Sequence, residues 1–521
     1  MRLFRNFITV GAFTALSRVL GFVRDVLIAA ILGVGPVADA FFVALKLPNL
    51  FRRLFAEGAF NSAFVPLFAR AREEGGEKGG ESFASAVLAW LVVTLLAVTT
   101  AAQLFMPALV MVIAPGFVGG ETGDLTVLFT RICFPYLMAM SLAAFLSGIL
   151  NTLNKFAVAA FAPTILNIAL ISALMAAAWF AVPTKQAGLF LAWGVFVAGV
   201  LQAIILFIAV RRAGVRLTLS RPRRGPLLGR LVRLGIPGVA AGGITQINIV
   251  VGTIIASFWP GAVSHLYYAD RLYQLPLGMV GVAIGVALLP DLSRRLRAGD
   301  TEGALWTQNR ALEFALMLTL PAAAALIVVP LEIVVTLFER GAFDREAAAM
   351  TAVALSAYGF GLPAFVLIKV FSPAYFARED TATPMIFAGI SMLVNVVGSI
   401  VGAVVLGPDG FAHVGIAAAT SLAGWVNAAL LFAWLLRRGQ FRADGVLWGR
   451  TLGFLAASLA LMIGATLIAQ NFSAWFFDAD NLRAGLALVV LVAGSGAIFV
   501  VMCELLGTMG VRDIIRALRK S

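Results

Sequence analysis

Fourteen stretches of mostly apolar residues, each about as long as a bilayer is thick, follow one another along this chain of 521 residues. They lie at 8–32, 37–66, 83–107, 125–150, 158–181, 187–210, 234–258, 266–293, 311–331, 347–375, 383–406, 414–436, 447–469 and 484–506. A helix needs about 20 such residues to cross the hydrocarbon core. The pattern predicts an all-α polytopic membrane protein of about 14 transmembrane helices. Composition agrees: 61% of residues are hydrophobic and only 12% charged, against about 25% charged in a soluble domain. A soluble enzyme, a nucleic-acid binder and a disordered scaffold are excluded at this step. The first run follows Arg2 and Arg5 as a signal peptide would. It is too long, contains Arg18 and Arg24, and lacks a small-residue cleavage site, so it reads as a retained helix. Cys133 and Cys503 both fall in apolar runs and make neither a disulfide framework nor a metal site.

Charge orients the spans. The odd-numbered gaps hold only Lys185, Arg340, Arg345 and Arg483, whereas residues 211–233 alone hold Arg211, Arg212, Arg216, Arg221, Arg223, Arg224, Arg230 and Arg233. By the positive-inside rule both termini and the basic gaps are cytoplasmic. The net charge of +13 therefore reflects topology and suits anionic membrane lipids, not nucleic acid.

The basic stretch also divides the chain. The expected organisation is an N-terminal six-helix lobe at 1–211 and a basic cytoplasmic linker at 212–233. A second six-helix lobe at 234–437 follows, then two extra helices with a basic tail at 438–521. The halves echo each other. The second run carries Leu47-Pro48 and ends Pro66-Leu-Phe-Ala-Arg70; the eighth carries Leu275-Pro276 and ends Pro290-Asp-Leu-Ser-Arg294. Two such lobes related by a pseudo-two-fold suit alternating access.

Basic residues also fall where lipid should be: Arg18, Arg24, Lys46, Arg52, Arg53, Arg131, Arg271 and Lys369. Each costs roughly 2.5–3.5 kcal/mol at mid-helix on insertion scales, so all eight cannot face lipid; some, Arg131 among them, can snorkel, and the deepest four, Arg18, Arg24, Arg52 and Arg53, are expected to line a wet cavity. The embedded acids read from the runs are fewer: Asp25, Asp39, Glu57 and Asp270. A basic excess asks for an anionic ligand, and arginine over lysine favours phosphate or diphosphate oxygens. Asp39, Lys46 and Arg53 recur every seven residues and share a helix face, with Glu57 placed to pair with Arg53. Arg18 and Arg24 lie about 120° apart on a regular helix, and Gly21 between them is expected to permit a kink that brings both to the cavity. Pro48-Asn49 is expected to interrupt the second span. Asp25 and Asp270 are placed to hold Arg24 and Arg271 when no ligand is present, and Asp39 to close a gate by pairing with an arginine.

Other motifs carry less. Gly238/Gly242 and Gly281/Gly285 have helix-packing spacing. His265 and His413 fall in external gaps and read as incidental. No P-loop, HExxH or GxSxG is present, so ATP hydrolysis is excluded on motif grounds.

The run Ser17-Arg-Val-Leu-Gly-Phe-Val-Arg-Asp25, then Ala38-Asp-Ala-Phe-Phe42, then Lys46-Leu-Pro-Asn-Leu-Phe-Arg-Arg-Leu-Phe-Ala-Glu-Gly-Ala-Phe60 resembles the MurJ/MviN family of lipid II flippases. So do Phe64-Val-Pro66, Ala114-Pro-Gly-Phe117, Phe161-Ala-Pro163 and Tyr267-Tyr-Ala-Asp-Arg-Leu272. The resemblance implies the multidrug/oligosaccharidyl-lipid/polysaccharide exporter fold in the bacterial inner membrane; no catalytic residue, cofactor or metal is expected. It implies transport of undecaprenyl-diphosphate-linked disaccharide-pentapeptide to the periplasmic leaflet for peptidoglycan synthesis, with cell-wall synthases as further candidate partners. The family's cavity arginines fall on Arg18, Arg24, Arg52 and Arg271 and its acidic partner on Asp39, with Arg53 and Asp25 in the same blocks. Ser17, Lys46, Asn49, Glu57 and Asp270 complete the candidate site. Runs 447–469 and 484–506 are where family members form a groove for the polyprenyl tail. Some members bind sodium through acids on helices seven and eleven; here those spans offer only Asn248 and Asn395, so no sodium site is expected. Alternatives are a carrier of another polyprenyl-diphosphate-linked glycan, a drug exporter of the same fold, which would want an acidic cavity, and a membrane glycosyltransferase. The last would need an external catalytic carboxylate, and the gap at 107–125 holds only Glu121 and Asp124.

Overall fold

The computed structural model describes residues 2–55, 59–219, 250–477 and 480–508, with isolated positions between 222 and 233. The described segments are helical and follow the apolar runs. The first half begins with α1 (Arg2–Leu32), α2 (Pro36–Phe55) and α3 (Ala59–Leu104). A short α4 (Met106–Ile113) leads to α5 (Glu121–Cys133), α6 (Tyr136–Thr152), α7 (Phe156–Trp179) and α8 (Thr184–Arg212). The second half contains α9 (Ala262–Arg297), α10 (Thr301–Val328), α11 (Pro330–Phe338), α12 (Arg345–Phe376), α13 (Ala382–Leu406), α14 (Ala412–Arg437), α15 (Gly445–Asn471), α16 (Ser473–Phe477) and α17 (Asn481–Leu505). Ten helical segments among the described residues, α5 and α6 counting together as one, are long and apolar enough to cross a membrane. The seventh predicted span, with Asn248, Gly238 and Gly242, lies mostly outside the described residues, as do most of the basic linker and the tail beyond 508.

Two local expectations change. The second predicted span, 37–66, crosses residues 56–58, which lie outside the described residues; its described parts are helical, in α2 and α3. Pro48 does not break α2. A proline removes one hydrogen bond from the preceding turn, yet the helix runs through Pro48, and next to it the Asn49 amide donates to the Leu45 carbonyl at 3.0 Å. Nor is Gly21 a break in α1. The kink occurs instead in α3, at Gly76, where φ is +64°, a value open to glycine at little cost.

By packing, the chain forms two compact units, Met1–Ser264 with Gly341–Phe343, and His265–Arg340 with Asp344–Ser521. In the first, α1 packs on α7, α7 and α6 on α8, α3 on α6, and α2 on α5. Phe60, Phe68 and Phe83 stack on Phe64, and Phe145 of α6 meets Phe64 at a tilt, building the core there. Residues Gly341–Phe343 join this unit by close backbone approach: the Ala342 N–H donates to the Ala30 carbonyl at 2.8 Å. Gly33 and Gly341 both have positive φ there, and a Cβ on either would overlap the facing backbone. In the second unit α13 packs on α14, α12 on α10 and α14, and α15 on α10 and α17. Gly402 and Gly415 meet at the α13–α14 crossing, the small-residue contact expected of membrane helices. Gly281 likewise marks an interface: a Cβ on it would strike the Lys369 side chain of α12.

Candidate functional site

Arg24 is the buried basic residue around which the first unit's polar contacts gather. It is 9% exposed, on the stretch of α1 that packs on α7. Its Nε and Nη2 donate to one carboxylate oxygen of Asp25 at 3.0 and 2.7 Å, the pairing expected of these two residues. Its Nη1 donates to Oδ1 of Asn167 on α7 at 2.8 Å. Asn167 in turn donates through Nδ2 to the Ser17 carbonyl at 2.8 Å and reaches the Ser17 hydroxyl at 3.3 Å. Ser17, Arg24, Asp25 and Asn167 are thus one network. Arg18 is not part of it: the side chain is exposed, with no hydrogen-bond or ion-pair partner among the described residues. Gly21 does not swing Arg18 inward; it lies against the Asn167 amide, where a Cβ would sit 3.6 Å from Nδ2.

Along α2 the polar residues fall to different partners. Asp39, 1% exposed, accepts from the Gly261 and Ser264 backbone N–H groups at 2.8 Å each, and from the Ser264 hydroxyl. It caps the start of α9, and among the described residues it has no arginine partner, contrary to expectation. The reason is that the first turn of a helix carries unpaired N–H donors and positive dipole, which suit a carboxylate. Lys46 donates to the Thr253 hydroxyl at 3.0 Å. The side chains of Arg52 and Arg53, and Glu57 altogether, lie outside the described residues.

In the second unit the Arg271 guanidinium stands 4.6 Å over the Tyr267 ring, a cation–π placement. Asp270 accepts from Gln274, one turn along α9. Lys369 is exposed on α12. The sequence reading missed the most buried acid here. Glu313, 2% exposed on α10, pairs with both Arg310 and Arg450, and Arg310 continues to Asp444 at 2.6 Å. Asp444 accepts from the Leu447 N–H and so caps α15, while Asn309 donates to the Arg442 carbonyl at 2.9 Å. Glu313 and Arg450 lie at the ends of predicted spans, where a charge is easily assigned to the water. His265 and His413 are buried and stacked, with ring centroids 4.7 Å apart, held by Thr351 and the Met350 carbonyl.

The described residues thus form a multi-pass helical protein with a paired arginine buried in one unit and a second ionic cluster that braces helices in the other. A family model described as Lipid II flippase MurJ matches residues 28–481, and the chain belongs to that family. A relative from Rhizobium meliloti (strain 1021), named a probable lipid II flippase MurJ, is 52% identical over 472 residues, covering 90% of this chain and 86% of its own. The fold is similar to a solved lipid II flippase MurJ in an inward closed conformation, at TM-score 0.77 and 26% identity, over 98% of this chain and 100% of that one. An inward-facing MATE transporter of the MOP superfamily shares the fold at TM-score 0.66 and 14% identity, over 83% of this chain and 97% of that one.

Proposed function

We propose that this chain carries lipid II, the undecaprenyl-diphosphate-linked disaccharide-pentapeptide, from the cytoplasmic to the periplasmic leaflet of the bacterial inner membrane by alternating access. The observation that carries the reading is Arg24, a buried arginine held in place by Asp25 and Asn167, inside a member of the MurJ family. Arg18, Arg24 and Arg271 hold the diphosphate, whose oxygens match the guanidinium fork. Arg52 and Arg53 act deeper, toward the cytoplasm. Asp39 serves the external gate by holding α2 to the start of α9. Different affinity of the two states for the substrate drives the switch.

Both termini face the cytoplasm in this reading, as the positive-inside rule requires. The lobes are 1–211 and 234–437, joined by the basic linker at 212–233. Segment 438–521, with α15 and α17, takes the polyprenyl tail. Cell-wall synthases receive the product outside.

The test is movement of labelled lipid II across proteoliposome membranes, read by an impermeant enzyme outside, for wild type and Arg24→Ala. The expected result is wild-type movement and a variant at the protein-free background, with both proteins inserted. Equal movement in both discards the arginine site. No movement in either, with a potential applied, overturns the substrate assignment.

A further inference from the structure

We infer that Asn167 is a positioning residue for substrate binding, acting through Arg24. The inference rests on the proposed role of Arg24 and assigns a residue on α7 that carries no charge. Asn167 is 6% exposed and lies 143 residues from Arg24 in sequence. Its amide orientation is fixed by chemistry. The Ser17 carbonyl can only accept, so Nδ2 must face it, and Oδ1 is left to accept from Arg24. No other side chain of this length donates to a backbone carbonyl on one side and accepts from a guanidinium on the other.

Two physical consequences follow. An arginine side chain has large rotamer freedom, and holding it in place beforehand removes that ordering cost from the binding step. Charge is the second. Arg24 is already compensated by Asp25, so a second carboxylate would make the cluster net negative and repel a diphosphate. A neutral amide anchors the guanidinium without cancelling it. Leucine at 167 would fill the same space but leave Nη1 without this acceptor. Aspartate would keep an acceptor but set an oxygen against the Ser17 carbonyl and add the unwanted charge.

The experiment measures lipid II affinity of the full-length protein in detergent for wild type, Asn167→Leu, Asn167→Asp, Arg24→Ala and the Arg24→Ala/Asn167→Leu double variant. Thermal midpoints are recorded in parallel. The dissociation constant should rise about tenfold for Asn167→Leu, the scale of one hydrogen bond to a charged group. Asn167→Asp should rise at least as far, although it is the closest in shape. The double variant should bind no more weakly than Arg24→Ala alone, because the amide has nothing left to position. Should Asn167→Leu fold poorly, Asn167→Asp with its own Arg24→Ala double variant gives the same cycle. Wild-type affinity in both Asn167 variants, while Arg24→Ala is weakened, overturns the inference alone. So does full additivity in the double variant, which marks a structural role. Wild-type affinity in Arg24→Ala overturns the arginine site itself, and this inference falls with it.

Discussion

Two buried ionic clusters, one in each unit, are built on opposite principles. Around Arg24, among the described residues, the Asp25 carboxylate and a neutral amide hold the guanidinium. Around Glu313 two arginines converge on one carboxylate, and the chain of contacts runs on to Asp444 and the cap of α15. The second cluster is closed: its charges are balanced, and its hydrogen bonds go to helix ends and to the loop that enters α15. The first shares its guanidinium between a carboxylate and a neutral amide. Under the proposed function, burial of charge does not by itself mark a binding residue: the Glu313 cluster braces helices, and Arg24 binds.

This contrast predicts a double dissociation. Arg24→Ala should bring transport to background while the protein still inserts, the largest effect expected. Glu313→Ala should act through stability, because removing one partner of a buried pair costs about 3–5 kcal/mol. The low end applies, since Arg310 and Arg450 retain 23% and 30% side-chain exposure. A fall in the denaturation midpoint, with the surviving folded fraction transporting normally, would sharpen the comparison. A fully stable but transport-dead Glu313→Ala would break it, by moving that cluster into the transport machinery.

Asp39 lies between the two types. It is as buried as Glu313 but spends its oxygens on backbone N–H groups of α9. Asp39→Ala would strand those donors, at about 1–3 kcal/mol, and should lower the midpoint less than Glu313→Ala. Asp39→Asn keeps one acceptor and should recover part of the loss. An Asp39→Ala protein with unchanged stability would contradict the cap.

The smallest effect is expected at Asp380, between α12 and α13. The Thr383 backbone N–H at 3.0 Å, then the Thr383 hydroxyl and Arg438, hold its carboxyl below the usual 3.8. The folded value lies below the unfolded one, so this stabilisation is complete above the unfolded value and is lost as pH falls through the folded one. The midpoints of wild type and Asp380→Asn should differ at neutral pH and converge below about pH 4. Because the pair is partly in water, the difference should be small. A difference that grows on acidification would reverse the assigned sign.

Much was legible before any coordinates. Hydropathy is a sum along the chain, so the apolar runs predicted the helices, and the block from Ser17 to Phe60 carried the family resemblance. Arg24 with Asp25 was legible because the partners are neighbours. The failures share another cause. Pro48 reads as a break until α2 is seen to run through it, and Glu313 and Arg450 read as near-surface charges until they meet across 137 residues.

Sequence alone determined that this protein is a helical bundle in a membrane, with arginines placed where lipid would reject them. Only the tertiary structure decided who answers those charges: Asn167 for Arg24, and the start of α9, 225 residues away, for Asp39. The reason is physical. Span formation depends on local apolar content, whereas partner choice depends on how each helix is rotated against its neighbours, and amides or backbone N–H groups able to satisfy a buried charge leave no distinctive mark in a sequence.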